Sequence, residues 1–298
     1  MTDPVRSRVQ LLAGAIMISF SPVLVTVASR GVGPTPIAFW RTLIGGLILL
    51  LICFAAGKPL RLPRAAFLWS LFAGFIFSAD LFCWHRSIIY VGAGMATILG
   101  NTQVFATAIM SRWVFNERLS VKFALSAVAA FAGLILLVGI GSDEVEFSTR
   151  YLMGVILGLV TGLAYSGYII GLKKGTLRAG KSLLIPFMAW TSLFSALFLG
   201  IASAIEGGPV MPPDWAAAGS LIAYGLVVQV MAWLVITRAL PHVPAAHAGL
   251  ILLLQPTLAT VWGVIFFDEQ LTTLQLTGAC ITLVGMYFGG FSGKRRSQ

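Results

Sequence analysis

Residues 96–119 of this chain read ATILGNTQVFATAIMSRWVFNERL, and residues 248–271, 152 positions later (248 − 96), read AGLILLLQPTLATVWGVIFFDEQL. Both stretches are apolar runs with a glutamine near the middle, Gln103 or Gln255. Both end in a polar corner that holds a glutamate, Glu117 or Glu269, and a second apolar run follows each corner. A self-match at about half the chain length indicates a duplicated unit.

Composition places this duplicated unit in a membrane. Hydrophobic residues make up 58% of the 298 residues, charged residues make up only 10%, and the mean hydropathy is +0.93. Soluble domains are about half apolar and about a quarter charged. The chain is therefore predicted to be an all-α integral membrane protein. Its net charge of +10 lies in short loops between apolar runs, which is typical of membrane orientation signals and not of nucleic-acid binding.

Ten apolar runs are long enough to cross a bilayer as helices, because a ~30 Å hydrocarbon core needs about 20 residues. The predicted spans are residues 9–29, 36–56, 65–87, 91–113, 121–141, 151–172, 183–204, 215–239, 244–267 and 271–291. The first span follows Arg6 and Arg8, as the core of a signal peptide would. It is longer than the usual core of roughly 7–15 residues, and we expect it to remain as an uncleaved first helix.

The positive charges predict how these spans are oriented. With the amino terminus inside, 16 of the 20 lysines and arginines fall on the cytoplasmic side. The remaining four (20 − 16) are Arg30, Arg41, Arg86 and Arg150. This bias predicts that both termini are cytoplasmic. Each half holds five helices, an odd number, so the second half must enter the membrane from the opposite side. The sequence thus predicts ten transmembrane helices as two inverted five-helix repeats, at residues 1–146 and 147–298.

Inverted repeats of this kind place a substrate site near the bilayer midplane and alternate access by rocking one half against the other. A polar side chain at membrane depth is a functional candidate because its burial there is unfavourable. The candidate substrate-binding residues are Ser19, Asp80, Trp84, Thr97, Asn101, Gln103, Tyr165, Tyr168, Tyr224, Gln229, Trp233 and Gln255. Asp80 is the only carboxylate well inside a predicted span. Its alternative role is a structural ion pair with Arg86 or Arg41.

Two prolines are expected to open helices near this site. Pro256 follows Gln255 directly, and Pro22 lies at the midpoint of span one. A proline removes one backbone hydrogen bond and frees a carbonyl that a substrate ammonium group can use. Span six carries three glycines at four-residue spacing, Gly154, Gly158 and Gly162. Such a row predicts close packing against other helices of the same chain.

The residue types of the candidate set favour a small zwitterion with an apolar side chain. Aromatic rings beside amides, with a single acid, suit such a ligand. A phosphate ester would need fixed cations, and no lysine or arginine is expected at mid-span. The sequence contains no Walker A, HExxH or GxSxG motif, and its three cysteines form no CxxC pair. We therefore expect no catalysis, no metal site and no cofactor.

Four short motifs carry a resemblance to a known family. They are FWR at residues 39–41, FNERL at 115–119, LQP at 254–256 and FDE at 267–269. Over nearly its whole length the chain resembles the EamA-type members of the drug/metabolite transporter superfamily, most of all the bacterial aromatic amino-acid exporters. The resemblance implies export of Phe, Tyr, Trp and similar compounds across the inner membrane. The family pattern has proline in both copies of the repeat, whereas this chain has Val104 at the position equivalent to Pro256. The resemblance therefore does not imply equal kinks in spans four and nine.

With the resemblance, the sequence predicts a secondary transporter that exports hydrophobic or aromatic amino acids through a central cavity. Its partners would be the small-molecule substrate and the lipid bilayer, and we expect a monomer or weak homodimer. Two alternatives stay open: an exporter of other small metabolites or cationic drugs with the same architecture, and a non-transporting membrane scaffold or integral-membrane enzyme. If protons drive transport, Asp80→Asn should abolish pH-dependent flux.

Overall fold

The computed structural model describes residues 4–138, 148–267 and 272–291, and every regular element in these ranges is helical. The α-helices are α1 (Pro4–Ser19), α2 (Ser21–Ala28), α3 (Pro34–Ala55), α4 (Arg64–Asn101), α5 (Gln103–Phe115), α6 (Val121–Val138), α7 (Thr149–Ala179), α8 (Leu184–Glu206), α9 (Trp215–Ala223), α10 (Trp233–Ala239), α11 (Ala245–Ile251), α12 (Leu254–Phe267) and α13 (Thr273–Phe291). A π-helical stretch, Tyr224–Ala232, joins α9 to α10. The all-α prediction is confirmed for this part of the chain.

Apolar helices of membrane length form most of the bundle. Seven helical segments are long and apolar enough to cross a membrane, and Val121–Leu136 and Thr273–Gly289 are shorter apolar helices. Large apolar side chains such as Leu51, Phe54 and Ile205 are exposed on the outside of the bundle. An apolar outer surface is what contact with lipid requires. The protein is a multi-pass membrane protein.

Helix α4 contains two membrane passes, because its contacts along α7 reverse direction. The neighbouring pairs are Phe72 with Gly171, Tyr90 with Gly154, Leu99 with Gly158 and Thr102 with Gly162. From Phe72 to Tyr90, the contacted position on α7 moves from residue 171 back to residue 154. From Leu99 to Thr102, it moves forward again, from residue 158 to residue 162. A straight helix of 38 residues would be ~57 Å long and could contact α7 in one direction only. The second pass of α4, continued by α5, brings the number of passes traced in the described residues to ten, as predicted.

A pseudo-two-fold axis in the membrane plane relates the two halves. Equivalent residues exchange partners: Gly133 contacts Thr282 while Gly285 contacts Ala130, and Gly46 contacts Leu193 while Gly200 contacts Phe39. The spacing is 152 residues in the first set (285 − 133, 282 − 130) and 154 in the second (200 − 46, 193 − 39). Such reciprocity defines a two-fold relation. In each set, higher residue numbers on one helix contact lower residue numbers on the other, so the two helices are antiparallel. A two-fold axis that exchanges two antiparallel helices is perpendicular to them. The repeats are therefore inverted, which confirms the predicted fold class.

Proline interrupts spans one and nine at mid-depth. Span one breaks between α1 and α2, and Pro22 lies in the first turn of α2. Span nine breaks at Leu252, four residues before Pro256. Proline has no N–H with which to bond the carbonyl four residues earlier, and its ring crowds that carbonyl. Both kinks were predicted from the sequence.

Span four is interrupted at the equivalent depth without a proline. Helix α4 ends at Asn101 and α5 begins at Gln103. Between them, the Thr102 hydroxyl and the Thr102 N–H both donate to the Leu99 carbonyl, at 2.5 Å and 3.2 Å. A hydroxyl that bonds its own helix backbone competes with the α-helical pattern. Both copies of the repeat are therefore interrupted, although they use different residues.

The glycine row of span six lies inside the bundle, as predicted. A Cβ added to Gly158 would lie 2.7 Å from the Cβ of Leu99 and 2.8 Å from Oγ of Ser87. Both neighbours belong to α4, which approaches α7 closely enough for Ser87 Oγ to donate to the Gly154 carbonyl at 2.9 Å. This close approach brings the polar residues of spans three and four against the middle of α7.

Candidate substrate cavity

A cavity of about 240 Å³ lies between the two halves, beside the interruptions of spans one, four and nine. All but two of the predicted site residues line it: Ser19, Asp80, Trp84, Thr97, Asn101, Gln103, Tyr165, Tyr224, Trp233 and Gln255. The two kink prolines, Pro22 and Pro256, also line it. Helix breaks place backbone and polar side chains at membrane depth, where protein surrounds them in place of lipid.

Tyr168 and Gln229, the other two predicted residues, lie behind the cavity wall. Tyr168 stacks on Phe77, with ring centroids 4.2 Å apart. Gln229 Oε1 accepts from Nε of Arg41 at 3.0 Å, and Gln229 Nε2 donates to Oγ of Ser192 at 3.0 Å. The structure thus gives both residues contacts that hold lining residues in position. Neither Tyr168 nor Gln229 lines the cavity itself.

Arg41 lines the cavity, although the pattern of positive charges predicted a place for it on the far side of the membrane. It is only 5% exposed, and its Nη1 donates to the hydroxyl of Tyr224 at 2.8 Å. Its guanidinium carbon lies 4.7 Å from the Tyr224 ring centroid and 5.1 Å from that of Phe77. The expectation that no fixed cation faces the deep cavity is therefore wrong. The depth of Arg41 could have been predicted by counting along the helix. Arg41 is the eighth residue of α3 and therefore lies ~10 Å from the start of this helix.

Asp80 lines the same cavity and is neither hydrogen-bonded nor ion-paired within the described part of the chain. It is 5% exposed and makes no hydrogen bond or ion pair with any described residue. The structural ion pairs considered for it are absent from the described residues, since Arg86 pairs with Glu206 and Arg41 is bonded as above. A buried, unpaired carboxylate in a cavity is a group available to a ligand.

Aromatic rings form the wall at the centre of the cavity. The Trp233 ring packs edge-on against Tyr165, Tyr168 and Phe77, with centroid distances of 6.1, 4.7 and 5.9 Å. The Trp233 indole N–H is buried and has no hydrogen-bond partner among the described residues. The hydroxyl of Tyr165 accepts from Nε2 of Gln255 at 3.1 Å. The wall combines a broad apolar surface with one unused N–H donor.

Hydrogen bonds between the halves close the cavity on the side of the termini. Gln103 Nε2 donates to the Gly249 carbonyl at 2.9 Å, which joins spans four and nine. The hydroxyls of Thr107 and Ser166 are hydrogen-bonded to each other at 3.0 Å, which joins spans four and six. All four residues are buried. Because their partners belong to opposite repeats, these bonds must break if the halves rock apart on this side.

An ion pair adds a second layer to this closed side. The Glu117 carboxylate accepts from Nζ of Lys173 at 2.6 Å and from the backbone N–H of Ala245 at 2.9 Å. Lys173 Nζ also donates to the Val243 carbonyl at 2.8 Å. Glu117 belongs to the corner after the first copy of the repeated motif. Its partners all come from the second half, so this corner fastens the two repeats together.

Ten passes in two inverted repeats around a cavity at mid-depth, closed on one side by contacts between the repeats, are typical of a membrane transporter. A model of the EamA-like transporter family matches residues 8–139 and 152–289 of the chain. The protein belongs to the EamA-like transporter family. Members of this family move solutes across membranes, so the protein is a transporter and not an enzyme.

Several known proteins are similar to this chain. The threonine/homoserine exporter RhtA of Salmonella typhimurium is 27% identical over 271 residues, which cover 90% of this chain and 85% of RhtA. A probable amino-acid metabolite efflux pump of Escherichia coli is 24% identical and covers 84% of this chain and 85% of its own length. The uncharacterized transporter YdfC of Bacillus subtilis is 26% identical, with 87% and 82% covered. One solved structure superposes with a TM-score of 0.81 at 16% identity over 95% of both chains, which shows that the fold is shared.

Proposed function

We propose that this transporter exports hydrophobic and aromatic amino acids across the inner membrane, by alternating access through the central cavity. The names of two relatives concern the export of amino acids or their metabolites. The observation that carries the proposal is the cavity itself, in which aromatic rings lie beside one unpaired carboxylate. An amino acid with an apolar side chain has a partner for each of these features.

The size of the cavity supports a substrate of amino-acid size. Its volume of about 240 Å³ is below the ~300–1,000 Å³ of pockets that hold drug-sized ligands. Trp233, Tyr165 and Phe77 supply apolar surface for the substrate side chain. The amides of Asn101 and Gln255 line the same space and can bond the polar end of the substrate.

The alternative substrates and roles are less well supported. A cationic drug would be attracted by Asp80 but repelled by Arg41, which lines the same cavity. A membrane scaffold would have no use for a buried carboxylate without a partner. Other small zwitterionic metabolites form the second candidate class, and a panel of substrates separates them from aromatic amino acids.

We place both termini in the cytoplasm, on the basis of the charge bias, with the boundary between the repeats at residues 146 and 147 and the protein as a monomer or weak homodimer. The boundary lies at the edge of residues 139–147, outside the described part of the chain. Cysteine labelling tests the orientation in a chain whose native cysteines are replaced. In Arg118→Cys and Gly208→Cys, an impermeant maleimide added to intact cells should label position 208 and not position 118. The opposite labelling pattern would overturn the orientation.

Solute exchange in reconstituted vesicles tests the substrate. Purified protein in liposomes filled with unlabelled phenylalanine should take up radiolabelled phenylalanine with saturation. Tyrosine, tryptophan and leucine should compete strongly, and threonine and homoserine weakly. If no amino acid of the panel shows saturable exchange, the proposal is wrong. If threonine and homoserine compete best, the transporter handles amino acids but not aromatic ones.

A pair of tryptophan variants provides a matched control. Trp233 is 1% exposed and lines the cavity, whereas Trp215 is 92% exposed at the start of α9 and does not line it. Trp233→Phe removes the N–H donor and part of the ring, and we expect phenylalanine affinity to fall about tenfold. Trp215→Phe should leave the affinity within about twofold. Equal effects of the two changes would place the substrate elsewhere.

A further inference from the structure

We propose that Arg41 and Asp80 form a two-point clamp that binds the carboxylate and the ammonium group of a zwitterionic amino acid. The inference rests on the proposed function and deepens it, because it names the residues that select the charge state of the substrate. Its basis is the placement of two oppositely charged, buried side chains in one cavity.

Arg41 is oriented by neighbours that leave part of its guanidinium group free. Its Nε donates to Gln229 Oε1, and one N–H of Nη1 donates to the Tyr224 hydroxyl. These bonds use two of the five guanidinium N–H groups, and the other three have no acceptor among the described residues. A fixed, planar guanidinium with free N–H groups binds a carboxylate through parallel hydrogen bonds.

Asp80 supplies the complementary charge. Its carboxylate accepts hydrogen bonds but cannot donate them, and no described residue donates to it. An unpaired charge is unfavourable in a buried site. A substrate ammonium group has three N–H donors and the opposite charge, so it removes this penalty when it binds.

The opposite charges of the two groups favour a ligand that carries both a positive and a negative charge. Arg41 and Asp80 do not pair with each other, because no nitrogen–oxygen distance between them falls within 4.0 Å. A cation would leave Arg41 unpaired, and an anion would leave Asp80 unpaired. Trp233 and Thr161 line the same cavity, and their Nε1 and Oγ1 atoms are buried without hydrogen-bond partners among the described residues.

Two analogues that each lack one charge test the clamp in the vesicle assay. The first, 3-phenylpropionate, has no ammonium group, and the second, 2-phenylethylamine, has no carboxylate. Each should compete with phenylalanine exchange about 10- to 100-fold more weakly than phenylalanine, because each loses charge-assisted hydrogen bonds. Asp80→Asn should weaken phenylalanine and 2-phenylethylamine but not 3-phenylpropionate. Arg41→Gln should weaken phenylalanine and 3-phenylpropionate but not 2-phenylethylamine.

The crossed pattern distinguishes binding from general damage to the fold. Arg41→Lys keeps the charge but lacks the planar fork, and we expect it to lie between the unaltered protein and Arg41→Gln. Equal competition by all three compounds in the unaltered protein would overturn the clamp and leave amino-acid export standing. Equal losses for all three compounds in both variants would also overturn it. Absence of any saturable exchange would overturn export and the clamp together.

The repeat supports a second inference, independent of the first. The bond from Gln103 Nε2 to the Gly249 carbonyl closes the side of the termini. A shift of 152 positions converts Gln103 into Gln255 and relates Thr97 to Gly249 (249 − 97). The symmetry-related bond would therefore run from Gln255 Nε2 to the Thr97 carbonyl, on the opposite side of the cavity.

In this structure the symmetry-related groups have other partners. Gln255 Nε2 donates to the Tyr165 hydroxyl at 3.1 Å, and the Thr97 carbonyl accepts from Asn101 Nδ2 at 2.8 Å. All four residues line the cavity. We infer that the opposite conformation exchanges these bonds: Gln103 releases its partner, and Gln255 bonds the Thr97 carbonyl and closes the far side.

Labelling of a cysteine at Ala259, a cavity-lining position, tests this exchange without any substrate. Gln103→Ala should slow labelling by an impermeant reagent from the far side by roughly fivefold, because one bond of the present conformation is lost. Gln255→Ala should leave the rate unchanged or raise it. Gln275→Ala, which alters a half-buried glutamine outside the cavity, is the control and should have no effect. Equal slowing by the changes at 103 and 255 would overturn the inference.

Discussion

Gln103 and Gln255 occupy the same position in two copies of one motif, but their surroundings differ. Gln103 is 1% exposed, and both ends of its amide are bonded, to the Gly249 carbonyl at 2.9 Å and to Thr107 Oγ1 at 3.1 Å. Gln255 is half-buried at the cavity and donates to Tyr165. Both glutamines line the cavity, but Gln103 bonds the opposite repeat and Gln255 bonds its own.

This difference follows from the inverted arrangement of the repeats. The two copies lie on opposite sides of the cavity, and in the proposed alternating access, opening of one side requires closure of the other. Gln103 and Gln255 therefore cannot both form the closing contact in one conformation. Because both copies carry the glutamine, either copy can form the closing bond. The conformation of the protein determines which copy forms it.

The largest loss of stability is expected at the closed side, from Glu117→Ala. Lys173 is buried, and the Glu117 carboxylate that neutralises it also bonds the Ala245 N–H. Removal of the carboxylate leaves a buried ammonium group without its counter-charge, which costs about 3–5 kcal/mol. The thermal-unfolding midpoint of the purified protein should fall accordingly.

A double variant separates loss of the charge pair from loss of packing. Glu117→Ala combined with Lys173→Met removes both charges, and more than half of the lost stability should return. A double variant no more stable than Glu117→Ala would contradict the role assigned to the pair.

Smaller and equal effects are expected at Gly133 and Gly285, where the two copies are alike. A Cβ at Gly133 would lie 2.6 Å from the Thr282 nitrogen, and a Cβ at Gly285 would lie 2.7 Å from the Ala130 nitrogen. Alanine at either position should destabilise the protein by about 1–3 kcal/mol, because the facing backbone must move. Chemical denaturation of the two variants measures this.

Gly219→Ala is the control for these two changes, since nothing lies within 4 Å of a Cβ added there. It should be neutral or slightly stabilising, because alanine favours helix more than glycine does. A large effect at only one of the two positions, 133 or 285, would contradict the two-fold relation between α6 and α13.

The smallest effect is expected from Val104→Pro, which makes the first copy more like the second. Helix α5 begins at Gln103, so position 104 lies in its first turn, where proline is tolerated. Stability should change by less than about 1 kcal/mol, and phenylalanine exchange should persist. Ala108→Pro lies in the interior of the same helix and should cost about 3 kcal/mol or more. Similar losses from both prolines would show that span four needs an unbroken helix.

Most of the fold could be predicted, because the bilayer imposes simple requirements on sequence. Ten apolar runs, the charge bias and the repeat were sufficient for ten passes and inverted halves. The break at Thr102 and the π-helical stretch Tyr224–Ala232 were not predicted. Both depend on local hydrogen bonds and packing that apolar composition does not report.

The candidate cavity could be predicted in part. Unusual polarity at membrane depth pointed to Asp80 and Asn101, and both line the cavity. The same reasoning selected Gln229, which lies behind the wall, and left out Arg41, which lines it. Depth along a helix can be counted from the sequence, but the face that points to the cavity depends on how the helices pack. The binding roles of all these residues stay predictions.

The sequence by itself determined the number of passes, their inverted halves and the membrane setting, because length, hydropathy, charge and repetition are properties of a linear chain. Only the tertiary structure decided that Arg41 and Asp80 share a cavity without pairing, and that Gln103 bonds the opposite repeat while Gln255 bonds its own. These features arise where helices distant in sequence converge. Their energies depend on burial and on distances between groups, neither of which a linear sequence contains.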